Sequence, residues 1–224
     1  MALQLEQAHR ESLTSFAERS LKRELLEGRL RPGERLVTRD LAAQMNMSLT
    51  PVREALVRLS ALSVLETTPA QAFIVPVLAA SKYEELAEIR KTVESLAARR
   101  AMANIGKSDL RKLEILNTDY QKAREEPDAS RALALNHIFR FTLYEHAQMP
   151  TLLGLIEHLW LQIGPTLHHL FPSRDPGGQG QHNYDLLLKA IARKAEDEVN
   201  SHIVDAINAG TKIVVPILKK GLQG

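Results

Sequence analysis

The stretch Ser48-Leu49-Thr50-Pro51-Val52-Arg53-Glu54-Ala55-Leu56-Val57-Arg58-Leu59-Ser60-Ala61-Leu62 decides the fold. Val52, Ala55, Leu56, Leu59 and Leu62 recur at the spacing of one buried helical stripe, and Arg53 and Arg58 fall off it. Thr50 reads as the N-cap and Pro51 as the first helical residue, where a missing N–H costs nothing. Upstream, Thr38 reads as the cap of a short helix from Arg39 to Met45, with Leu41, Ala42 and Met45 on one face. Asn46 tolerates the left-handed conformation that ends it. Two short helices joined by a tight turn, the second with its polar face free, are the arrangement that carries a recognition helix into a DNA major groove.

The flanks complete the pattern. From Gln7 to Glu27 apolar residues recur at helical spacing (Leu13, Phe16, Ala17, Leu21, Leu25), and Gly28 stops that helix. Arg31-Pro32-Gly33-Glu34 is a turn leading into an extended Arg35-Leu36-Val37. Two β-like runs, Val64 to Thr67 and Phe73 to Val75, flank Thr68-Pro69-Ala70-Gln71-Ala72 as a hairpin. Residues 1–76 are therefore expected to form a winged helix-turn-helix, with a linker over 77–80. From Ser81 the strand signal vanishes, and 81–224 read as an all-helical domain for effector binding and dimerisation. Helices are expected near 81–104, 108–125, 128–147, 150–170, 181–193, 195–209 and 211–221, separated at Gly106, Pro127, Pro150, the Pro172–Gly178 loop and Gly210. The Gly164-Pro165 pair should kink the helix that carries Trp160, the only tryptophan, which reads as core or pocket wall. The fold class is mainly α.

Composition sets the bounds. With 224 residues, 44% hydrophobic and 25% charged, the chain is long and apolar enough for two modest cored domains. It has no cysteine, which removes thiolate metal sites, thiol nucleophiles and disulfides. A net charge of +2 permits nucleic-acid binding without arguing for it. The first residues lack the basic and apolar regions of an export signal, and no apolar run approaches the roughly 20 residues of a membrane span. A cytoplasmic protein with no membrane association is the expectation.

Three motifs carry a family resemblance. Gly28-Arg29-Leu30-Arg31-Pro32-Gly33-Glu34-Arg35-Leu36, Arg39-Asp40-Leu41-Ala42 and Ser48 to Leu59 follow one another in the order of the GntR-type regulators. The helical remainder resembles the FadR-like subgroup with its FCD ligand-binding domain. The resemblance implies a homodimer that binds a palindromic double-stranded operator and answers to a small effector. The physical reading of the residues agrees. Ser48 and Thr50 offer hydroxyls at a helix N-terminus, where a phosphate is favoured. Arg53 suits the guanine O6 and N7 edge, and Arg39 the backbone or groove lip. Arg58 reads either as a phosphate contact or as a solvated charge. Where relatives carry a basic residue and a wing-tip Arg-Gly pair, this chain has Leu49 and Gln71-Ala72, so a weaker or more sequence-restricted grip with a shallow salt dependence is expected.

The effector domain departs from its relatives too. They often hold a divalent metal by an Asp and a His one turn apart and two later histidines. Here those positions fall on Asn136, Arg140, Tyr184 and Ala206. No metal or other cofactor is expected at the usual positions, since a guanidinium repels a dication. Arg140 inside a bundle needs either an internal carboxylate such as Glu94 or an anionic ligand. In the second case it forks an organic acid, with Asn136 and Tyr184 completing the hydrogen bonds. Arg90-Lys91-Thr92-Val93-Glu94 resembles the Arg–x3–Glu that opens the family's effector domain, where the Arg often faces the ligand; the same spacing suits a solvated helix face. A metal sensor with displaced ligands such as His182 and His202 remains an alternative. A helical metal-dependent enzyme is a poorer one, since no HExxH and no phosphate-binding glycine loop is present, and no catalytic residue is assigned.

Overall fold

The computed structural model describes residues 12–68, 72–126, 129–170 and 184–221. The first helix, α1 (Leu13–Leu26), opens where the Ser12 side chain accepts a hydrogen bond from the Ser15 backbone N–H at 3.1 Å. Ala17, Leu21 and Leu25 form its buried stripe, while Leu13 and Phe16 stay exposed. Gly28 ends it at φ +63°, a conformation that costs glycine nothing. Then follow β1 (Arg35–Leu36), α2 (Thr38–Gln44) and α3 (Leu49–Ala61), and the wing strands β2 (Glu66–Thr67) and β3 (Phe73–Ile74). The sheet order is β1-β3-β2, antiparallel throughout, with Leu36 and Thr67 both opposite Phe73. The buried Phe73 thus pins the wing against the helices.

Local details differ from expectation by a residue or two. Val37, not Thr38, is the N-cap of α2, and Ser48, not Thr50, that of α3. Pro51 therefore sits third in α3, still among the first-turn positions whose N–H lacks an intrahelical partner. Leu62 lies just past α3 and is 43% exposed, outside the buried stripe it was expected to join. Asn46 adopts φ 51°, as its place in the turn required.

The C-terminal domain comprises α4 (Ala80–Ala101), α5 (Lys107–Ala123), α6 (Ala129–Glu145), α7 (Pro150–Ile163), a 3-10 helix (Gly164–Leu170), α8 (Asp185–Arg193) and α9 (Glu196–Gly221). Two boundaries are corrections. The helix expected to kink at Gly164-Pro165 tightens there into the 3-10 helix. The two helices expected on either side of Gly210 are one helix, which also runs through Pro216. Val199, Ile203, Ile207, Val214 and Leu218 are buried along it, and α4 is its main packing partner, so tertiary burial overrides the helix-breaking residues. The Pro172–Gly178 loop lies outside the described residues. Among those described, no helix is long and apolar enough to cross a membrane.

The two parts meet where α1 packs on α6, α7 and the 3-10 helix. Lys22 pairs with Glu157 at 3.3 Å. A Cβ at Gly164 would lie 2.3 Å from the Leu25 carbonyl oxygen, so only glycine permits this approach. Gly28 presses in return on Leu133, where a Cβ would lie 2.9 Å from its Cδ1.

Candidate DNA-reading face and buried charge cluster

On the reading side, α3 buries Pro51, Val52, Ala55, Leu56 and Leu59 and turns Leu49, Thr50, Arg53, Glu54, Val57 and Arg58 outward. Those six line a cleft of about 390 Å³ along the outer face. Ser48, at the N-cap, and Arg39, in the first turn of α2, are exposed as well. Two of the polar groups are tied back to α1: Thr14 Oγ1 donates to Glu54 Oε2 at 2.7 Å, and Arg58 Nη1 reaches Glu18 Oε2 at 3.3 Å. Arg58 is thus ion-paired with Glu18 rather than a purely solvated charge. Gln71 lies outside the described residues, and Ala72 is half-buried beside β3.

In the C-terminal domain α4, α6, α7 and the start of α8 bring Arg90, Asn136, Arg140 and Tyr184 together around Glu94, which is fully buried. Glu94 Oε1 accepts from Arg90 Nε at 2.6 Å and from Trp160 Nε1 at 2.9 Å. Its Oε2 accepts from Arg140 Nη1 at 3.0 Å and from the Tyr144 hydroxyl at 2.6 Å. Arg140 Nε donates to the Tyr184 hydroxyl at 3.0 Å, and that hydroxyl donates to Asn136 Oδ1. The rings fix the geometry: Phe139 stacks on Tyr184 at 3.8 Å, and the Arg90 guanidinium lies 5.0 Å over Trp160. Arg90 is 6% and Arg140 4% exposed, so the Arg90–Glu94 pair is no solvated helix face. Burial pushes the Glu94 carboxyl up, but the two guanidiniums and the bonds from Tyr144 and Arg90 outweigh it and hold the pKa below the ordinary carboxylate range.

The sequence points to Glu94 as a carboxylate for Arg140 but not to Tyr144 as a second partner of that carboxylate. The signal was present: Arg90–Glu94 and Arg140–Tyr144 are both i, i+4 pairs, and a buried tryptophan N–H needs an acceptor.

The metal positions can be tested on donor chemistry. Arg140 has no lone pair to give, Ala206 has no donor, and the Tyr184 hydroxyl is spent on Arg140 and Asn136. These residues do not fit a divalent cation. Among the described residues no three His, Asp or Glu side chains converge elsewhere. His182 lies outside them.

A winged helix-turn-helix with an arginine-bearing recognition face, joined to a helical domain with a buried ionic core, defines a DNA-binding transcription regulator. Comparison with known proteins gives the family. Residues 13–75 match the model of bacterial regulatory proteins of the gntR family, and 85–209 match that of the FCD domain. The chain is 41% identical to the HTH-type transcriptional regulator McbR of Escherichia coli K12 over 189 residues, 84% of this chain and 85% of that one. The solved structure of E. coli McbR/YncC superposes with a TM-score of 0.85 at 36% identity, covering 95% of this chain and all of that one. Lar of Listeria monocytogenes, at 18% identity and a TM-score of 0.56 over 92% of this chain and 98% of that one, shares the fold. The chain belongs to the GntR family of bacterial transcription regulators, in the FadR-like group with an FCD domain.

Proposed function

We propose that this regulator, a cytoplasmic homodimer without enzymatic activity, binds a palindromic double-stranded operator, and that a small organic acid bound in the C-terminal domain modulates that grip. A two-fold protein matches two half-sites about one helical turn apart. On this reading Arg53 meets a base edge, Arg39 the groove lip, and Ser48 and Thr50 a phosphate at the α3 N-terminus. Arg58 adds a phosphate contact by giving up Glu18, an exposed pair worth only about 0–1 kcal/mol. A division into a reading head over 1–76, a linker over 77–80 and an effector domain over 81–224 is supported by the end of β3 at Ile74 and the start of α4 at Ala80.

One observation carries the effector: two buried guanidiniums, Arg90 and Arg140, share the single carboxylate of Glu94. Among the described residues no second carboxylate bonds to them, and a buried net positive charge is costly. An incoming carboxylate balances it, taken by Arg140 and Arg90 and oriented by Asn136 and Tyr184 once these exchange their mutual hydrogen bond for bonds to the ligand. Any such ligand biases the reading head only by binding two arrangements unequally. The α1 seat on α7 and the 3-10 helix is the route by which the two domains feel each other.

A thermal-shift series with acetate, malate, citrate and benzoate tests this. A saturating ligand at a hundred times its Kd should raise Tm by about 5–10 °C. The rise should vanish in Arg140→Ala. Stabilisation that survives that substitution unchanged removes Arg140 as the anchor.

A further inference from the structure

The recognition helix presents an apolar group where it meets a polyanion. Leu49 is 51% and Val57 50% exposed on the outer face of α3, with Arg53 between them. The spacing i, i+4, i+8 puts the three on one stripe, successive members about 6 Å apart along the axis. Two of the polar lining groups are drawn toward α1: Glu54 by Thr14 and Arg58 by Glu18. The 390 Å³ cleft thus sets Leu49 and Val57 on either side of Arg53, among Thr50, Glu54 and Arg58.

Base edges in the major groove offer one apolar feature, the C5-methyl group of thymine. The first residues of a recognition helix reach those edges, and Leu49 is the first residue of α3. We propose that Leu49 is a specificity-determining residue that packs on a thymine C5-methyl group in each half-site. That thymine lies one or two base-pair steps from the base met by Arg53, since 6 Å spans about two steps of 3.4 Å. Val57 closes the other side of Arg53 and keeps water from its contact. This rests on the reading of α3 as the DNA-contacting helix and adds what it recognises. It also recasts the loss of a basic residue at position 49: charge is exchanged for discrimination.

The test uses the full chain. A duplex is selected from a random-sequence pool, and every thymine of the winning half-site is replaced in turn by uracil, which removes only the methyl group. Binding is measured by fluorescence anisotropy for wild type, Leu49→Ala and Val57→Ala. One thymine per half-site should show a roughly three- to fivefold loss on replacement by uracil, the value of burying one methyl group. Leu49→Ala should abolish that difference at that position alone and relax selection there, while the base preference beside it stays. Binding to an unselected duplex should be unchanged, which shows that the variant is folded. If no thymine is sensitive to uracil, or if the sensitivity persists in Leu49→Ala, the proposal is overturned. It is also overturned if Leu49→Ala shifts self-association and leaves selection untouched, which would make the patch a protein contact. A wild-type chain that selects no sequence from the pool would instead defeat the reading of α3 itself.

Discussion

Glu94 carries the internal electrostatics of the effector domain on one carboxylate. Glu94→Gln leaves two buried guanidiniums around a neutral acceptor, so unfolding in urea should show a loss of about 3–5 kcal/mol. Tyr144→Phe removes one donor to the same oxygen and should cost less, about 1–3 kcal/mol. If both variants cost the same, Glu94 is not the hub. A second residue shapes the pH dependence. His137 packs on Phe141 at 4.4 Å, and burial lowers its pKa to about 4. A histidine depressed in the folded state contributes stability that is fully present above about pH 6.5 and is lost as the pH falls through about 4. Between pH 7.5 and 4 the wild type should therefore lose about 2–3 kcal/mol that His137→Phe keeps, measured as the difference between the two pH values within each variant. Glu94 has the same sign at lower pH: its share holds above the unfolded carboxylate range near 4.3 and fades below it.

At the scale of elements, the seat of α1 on the 3-10 helix is the sharpest steric constraint. Gly164→Ala should push α1 off by its clash with the Leu25 carbonyl and cost about 1–3 kcal/mol, read as a Tm lower by several degrees. An unchanged Tm would mean that the seat yields freely. Most elements were legible because their signals are local: Asn46 ends α2, Gly28 ends α1, and period-four stripes mark α1 and α3. Gly210 misled because its penalty of about 1 kcal/mol is small beside the burial of Val214 and Leu218 against the rest of the fold. The companions of Arg140 were legible only in part. Asn136 is one turn away on α6, but the convergence of Glu94 and Trp160 on Arg140 depends on how α4 and α7 cross, which no local pattern encodes.

For the whole molecule bound to DNA as proposed, uncharged residues at Leu49, Gln71 and Ala72 leave the affinity dependent on few phosphate contacts. The plot of log affinity against log salt should be shallow, and Leu49→Lys should steepen its slope by about one. A wild-type slope implying many phosphates would show that the missing charges are made up elsewhere. The position of Trp160 has a practical corollary. It is the chain's only indole, 1% exposed, donating to Glu94 and lying under Arg90. On the proposed reading, indole emission, excited apart from that of the four tyrosines, thus comes from the spot where an effector would perturb charge. If an organic acid binds there as proposed, its occupancy should be readable without a label as a change in indole fluorescence colour or yield, while the operator, which has no such emission, is titrated in the same cuvette.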